Sequence, residues 1–122
     1  MGNLQVEQIE HPEFLEYVLS GNDHTRAEWE ALIYRIQEEA ERTQIWRVLV
    51  DGHMLEKLYD DLTRYHLSKL AASVFSTELK VGSLFRQELI NYFGETVAVN
   101  RGVNLRVDSD RDALMTWLLL PK

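Results

Sequence analysis

Apolar residues recur along this chain with two periods, near two and near 3.6, and the switches between them mark out the elements. Leu4-Gln5-Val6 alternates as a short leading strand would, and His11-Pro12 breaks it, because proline disfavours helix at the residue before it. Phe14 to Ser20 (FLEYVLS) is rich in aromatic and branched residues and stops at Gly21-Asn22-Asp23, which reads as the first core strand. Thr25-Arg26-Ala27-Glu28 has the form of a capping box, whose hydroxyl and carboxylate satisfy the first backbone N–H groups of a helix. Trp29, Leu32, Ile33, Ile36 and Ala40 follow on one face, with Glu30, Arg35, Glu38, Glu39 and Glu41 opposite. Trp29 is expected to anchor the core.

Ile45 to Val50 (IWRVLV) is a near-continuous apolar run closed by Asp51-Gly52, the pattern of a strand covered on both faces. Helical spacing resumes from about Leu55 to Phe75 through Leu67, Leu70, Ala71 and Val74. Leu79 to Phe85 then alternates as a strand, with Gly82 indicating close approach of a neighbouring element. Leu89, Ile90, Phe93 and Val97 predict a third helix with Gly94 in its middle. Asn100-Arg101-Gly102 punctuates the change from that helix to the strand Val103 to Val107. Gly102 suits a left-handed cap, Asn100 tolerates one, and Arg101 sets positive charge at the negative end of the helix dipole. Ser109, with Asp112 three residues on, is expected to cap a last helix whose face carries Ala113, Leu114, Trp117 and Leu118. Strands alternating with helices predict an α/β fold around a mostly parallel sheet, with an extra N-terminal strand able to pair antiparallel.

Composition narrows the function classes. With 122 residues the chain is expected to be a single domain, 1–122. It has 13 Lys plus Arg against 20 Asp plus Glu, a net charge of −7, so a phosphate backbone or an anionic membrane would be repelled. No apolar run reaches the roughly 20 residues that span a bilayer, and no membrane insertion is expected. Cysteine is absent, which excludes thiolate metal sites and cysteine nucleophiles and fits a cytoplasmic location.

Three segments carry a family resemblance: Val48-Leu49-Val50-Asp51, Leu62-Thr63-Arg64-Tyr65, and Phe93 through Val107 with the trailing Ala113-Leu114 and Trp117-Leu118. In these, and in its order of elements over residues 14–120, the chain resembles the SpoIIAA-like (STAS) domains, named for sulfate transporters and anti-sigma-factor antagonists. More specifically, the three segments resemble a bacterial group described as STAS-like or STAS/SEC14-like. The resemblance implies a non-enzymatic protein-interaction or regulatory module. Signalling members carry a phosphorylatable Ser or Thr just after the strand that ends in Asp. Here that loop is Asp51-Gly52-His53-Met54-Leu55-Glu56, without a hydroxyl. The alternative implied by the SEC14-like relatives is a small-molecule or lipid-binding domain.

In a parallel sheet the loops after the strands gather at one rim, where α/β proteins bind ligands. Here the rim would hold Asn22, Asp23 and His24, then Asp51 and His53, then Arg86 and Gln87, then Asp108, Ser109 and Asp110. Two histidines among carboxylates have the chemistry of an acid/base pair or a metal site. The same residue types also start turns and cap helices. No His-x-x-His or His-Glu-x-x-His spacing supports a metal, and neither a nucleophile-elbow serine nor a Gly-rich phosphate loop occurs, so no metal, cofactor or catalytic residue is expected. Partners are expected to be a protein, a second copy of the chain or a small apolar ligand. Such a ligand would sit among Phe75, Leu79, Phe85, Tyr92, Phe93 and Met115, residues that serve equally as core. Tyr59, Tyr65 and His66 with Met54-Leu55 form a further candidate contact surface.

Overall fold

A computed structural model describes residues 3–121; Met1, Gly2 and Lys122, the ends of the expected 1–122 domain, lie outside the described residues. The element order is β1 (Gln5–Glu10), β2 (Leu15–Ser20), α1 (Arg26–Thr43), β3 (Arg47–Asp51), α2 (Asp61–Val74), β4 (Lys80–Leu84), α3 (Phe93–Asn100), β5 (Asn104–Asp108) and α4 (Arg111–Leu119), with a 3-10 turn at Gln87–Leu89. The five strands form one sheet in the order β1-β2-β3-β4-β5. β1 pairs antiparallel with β2, while β2, β3, β4 and β5 run parallel. The mostly parallel α/β sheet and its antiparallel N-terminal strand are therefore as the periodicity predicts.

Side-chain alternation gives the sheet two unlike faces. Leu15, Tyr17, Leu19, Val48, Val50 and Val81 turn to one side and form a core with Trp29, Leu32, Ile36 and Ala40 of α1 and Leu67 of α2. The crossover helices lie on this side, as same-handed crossovers stepping one way across a sheet require. The capping box at Thr25 and Glu28 starts α1 as expected. Glu28 also accepts from the N–H groups of Asn3 and Leu4, so it ties the start of the chain to α1. The Leu4 and Thr25 N–H groups, first among its donors, hold its carboxyl below the usual carboxylate range.

The opposite side carries Glu16, Leu49, Asp51, Lys80, Gly82 and Leu84. α4 packs here, with Leu114 and Leu118 fully buried against Leu49 and Leu84. Gly82 makes the close approach possible, because a Cβ there would lie 3.0 Å from Leu114 Cδ1. Burying each leucine contributes about 1.5–3 kcal/mol. The C-terminal end of α4 is held by cations from the sheet. Lys80 Nζ donates to the carbonyls of Trp117 and Leu120, and Arg47 donates to that of Leu120 at 3.3 Å. This places positive charge where the helix dipole is negative.

Two helix starts differ from the expected ones. α2 begins at Asp61, not near Leu55, because the Asp60 carboxylate caps it by accepting from Thr63 N–H at 2.8 Å. Residues 52–60 form a loop that tucks Leu55 fully into the core, which prolongs the apolar spacing without a helix. α3 begins at Phe93 rather than Leu89, since the 3-10 turn and Tyr92, at φ 62°, interrupt the backbone. Gly94 thus lies in the first turn of α3 and not its middle.

The end of α3 is the punctuation read from Asn100-Arg101-Gly102. Gly102 has φ +92°, its N–H returns to Val99 O, and Val103 N–H returns to Ala98 O, both at 3.0 Å. These are the paired bonds of a Schellman cap. Asn100 remains helical, and Arg101 is the exposed cap residue. Nothing lies within 4 Å of a Cβ at Gly102, so backbone strain alone penalises a side chain there. Gly102→Val is expected to lower unfolding stability by about 1–2 kcal/mol, and Arg101→Ala by less than about 1 kcal/mol. Urea unfolding measures both; an unchanged Gly102→Val midpoint would remove the cap from the account.

Candidate functional site

The predicted rim exists at the carboxyl ends of β3, β4 and β5, but it divides into two clusters with different work to do. Asp51, Arg86, His53, Gln87 and Ser109 line one groove, together with Arg111 from the first turn of α4. Asp51 is the last residue of β3, and its side chain is 5% exposed. Its Oδ1 accepts from His53 Nδ1–H at 2.6 Å and from the His53 backbone N–H at 3.1 Å, while Oδ2 accepts from Arg111 Nη1 at 3.1 Å. Arg111 Nη2 reaches Glu16 Oε2 at 3.2 Å, and Glu16 Oε1 accepts from His11 Nε2–H at 2.8 Å. Glu16 is 8% exposed and Arg111 44%.

All four carboxylate oxygens therefore have a donor, which burial demands of charged groups. The arrangement joins β2, β3 and α4 on the α4 face of the sheet, from Glu16 near the start of β2 to Asp51 at the end of β3. Arg86 Nε donates to His53 O at 3.0 Å, and Ser109 Oγ bonds Gln87 Oε1 at 2.7 Å, so the loops after β3, β4 and β5 are cross-linked. Sequence reasoning passed over Glu16 and Arg111. A lone carboxylate inside the apolar run FLEYVLS was the available signal for Glu16.

Asn22 and His24 belong to the second cluster. Asn22 Oδ1 accepts from Glu56 N–H at 3.3 Å. His24 Nδ1 accepts from Trp29 Nε1–H at 2.9 Å, which leaves Nε2–H to donate to Lys57 O at 3.1 Å. Both ring nitrogens are occupied, so His24 fastens the β3–α2 loop to α1. Asp23 is exposed beside them. Asp108 has a third role: it accepts from Asp110 N–H and from Arg106, and the Asp110 N–H, as the largest cause, holds its carboxyl below the usual range. The helix cap is Asp110, which accepts from the N–H groups of Asp112 and Ala113, and not the expected Ser109. The chain register decides this, since Ser109 sits one residue too early. Among the described residues no three His, Asp or Glu side chains are grouped to hold a metal ion.

The six residues considered for an apolar ligand are also separated. Phe75, Phe85 and Tyr92 line a cavity beneath the crossover helices. Leu79 packs in the adjoining core, Phe93 is exposed, and Met115 lies on the α4 side. Of the further contact candidates, Leu55 is buried and Tyr59 packs edge-on to Trp29, with ring centroids 5.0 Å apart. Tyr65 and His66 are half-buried and Met54 is exposed.

No protein-family model matches the sequence, and no curated protein does. Among solved structures, the chain is similar to an anti-sigma factor antagonist from Mycobacterium paratuberculosis. The two share 13% identity over 95% of this chain and 94% of that one, with a TM-score of 0.66. The chain has the SpoIIAA-like (STAS) fold. Within this STAS fold, the Arg111 cluster sits where β3 hands over to its loop, and no helix among the described residues is long and apolar enough to cross a membrane.

His24→Ala is expected to cost about 1–2 kcal/mol, because the buried Trp29 N–H loses its acceptor. The change should also speed hydrogen exchange at Glu56 and Lys57 while leaving β4 unaffected. Unaltered exchange in that loop would show that His24 does not fasten it.

Proposed function

We propose that this chain is a non-enzymatic, cytoplasmic regulatory module that acts by binding a protein, and that it does so without phosphorylation of its β3–α2 loop. The observation that carries this reading is the fold it shares, over nearly its whole length, with an anti-sigma factor antagonist. The surface supports it. Leu62 at the start of α2 is 66% exposed, and Tyr92 and Phe93 at the start of α3 are 47% and 42% exposed. The two starts are joined by Asn91 donating to Asp61 at 2.8 Å and by the stacked rings of Tyr65 and Phe93. Exposed aromatic and large apolar side chains held on rigid helix starts suit a protein contact. The net charge of −7 disfavours nucleic acid as the partner.

Phosphate has no ready acceptor in the loop. Gly52 to Lys57 contains no hydroxyl, Tyr59 is packed on Trp29, and Thr63 lies within the first turn of α2. The rim instead uses Asp51 and His53 to hold Arg111 and Arg86 in fixed geometry.

Affinity capture from the source cells, comparing the native chain with a folded Phe93→Asp variant, tests the reading. A stoichiometric protein should be retained by the native chain and lost with the variant, and the chain recovered with it should show no added phosphate between residues 51 and 63. Equal retention by Phe93→Asp, or no retained protein, would contradict the contact reading. A phosphorylated loop peptide would contradict the phosphate-free mode.

A further inference from the structure

Beneath α1, α2 and α3 the sheet does not fill the space above it. A cavity of about 120 Å³ lies between Trp29 and Ile36 of α1, Ala71 of α2, Ala98 of α3, and Val50 and Val81 of the sheet. The small side chains leave the room. Ala71 and Ala98 face the sheet where a leucine would fill the gap, and both are buried. The wall also carries charge, from Arg64 and Glu95. Glu95 is already engaged, whereas the buried Arg64 Nε–H has no hydrogen-bond partner among the described residues. Glu95 accepts from the Val107 N–H of the edge strand, and Arg64 lies 3.6 Å from Asp61 and over the Tyr59 ring. Tyr92 lines the same cavity and is 47% exposed, so the cavity reaches the surface there.

Interiors are normally packed to the density of organic crystals, and an unfilled apolar space is a cost that a well-fitting occupant removes. Cavities of about 150 Å³ lined by Leu, Ile and Phe take up benzene or xenon. The volume here is of that order, and it is too small for an acyl chain with its headgroup. Aromatic rings in the wall, among them Trp29 and Phe85, favour a flat guest that meets them edge-on or offset. An anionic guest would be desolvated beside the Glu95 carboxylate in a chain of net charge −7, so negative charge is selected against, while a neutral guest with one acceptor oxygen can satisfy the Arg64 Nε–H.

We propose that this cavity is a binding site for a neutral aromatic molecule of about benzene size, entering beside Tyr92. The inference is independent of the protein-contact reading. It rests on the space under the helices alone, although Tyr92 belongs to both surfaces.

The test uses the full chain, isotope-labelled, titrated with benzene and separately with phenol, and followed by two-dimensional NMR. Saturable shifts are expected at Val50, Val81 and Ala98, with Leu49 and Leu118 across the sheet unmoved. Benzoate should shift the same signals at least tenfold more weakly. Ala98→Leu should abolish the response while keeping the folded spectrum. Should that variant not fold, Ala71→Leu fills the space from α2, and xenon dissolved in the native sample reports the cavity without mutation. No saturable shift with benzene, phenol or xenon in the native chain would overturn the proposal. So would undiminished binding in a folded filled variant, or shifts centred on the exposed Phe93 surface.

Discussion

The Arg111 guanidinium is the point on which the rim depends. Two carboxylates, Glu16 on β2 and Asp51 on β3, are buried near one another on the same sheet face. Taking a carboxylate out of water costs several kcal/mol unless charge and hydrogen bonds replace its hydration. The planar fork of Arg111 meets one oxygen of each, at 3.1 and 3.2 Å, while His53 and His11 take the others. An arginine suits this place, since its rigid donors reach two acceptors at once.

From that contact the placement of α4 follows. Its first residue is bound to the sheet through Arg111, and its last carbonyls are bound through Lys80 and Arg47. Between the two ends Leu114 settles over Gly82. The helix is thus fixed at both ends by polar groups and in the middle by burial. The β5–α4 turn, with Ser109 and Asp110, is in turn brought against the loops that follow β3 and β4.

The strands and the crossover helices were legible in the sequence because period-two and helical spacing report burial directly, as in Phe14 to Ser20 and Trp29 to Ala40. Gly82 and Gly102 were legible too, each for a reason of space or backbone angle that its neighbours imply. The helix starts were not. Leu55 and Leu89 extend the apolar rhythm, yet the first is buried by a loop and the second ends a 3-10 turn. The rim was half legible. Asp51, His53, Arg86 and Ser109 do meet, whereas His24 and Asn22 face the β3–α2 loop, because their partners, Trp29 Nε1 and the backbone of Glu56 and Lys57, are set by tertiary packing. Arg111 was missed because an arginine in the first turn of a helix looks like a solvent residue until the register places Glu16 and Asp51 beneath it. The space between Ala71, Ala98 and Val81 is likewise a property of packing that no spacing rule contains.

The most direct measurement is a stability cycle by urea unfolding at neutral pH, with Arg111→Met made in the native chain and in a Glu16→Gln, Asp51→Asn background. The account predicts that Arg111→Met costs about 1–3 kcal/mol in the native chain, where it strands two buried carboxylates. In the amide background it should cost little, giving a coupling within the roughly 0.5–3 kcal/mol of contacting groups. An equal cost in both backgrounds would mean that Arg111 acts independently of Glu16 and Asp51, and the account of α4 docking would be wrong.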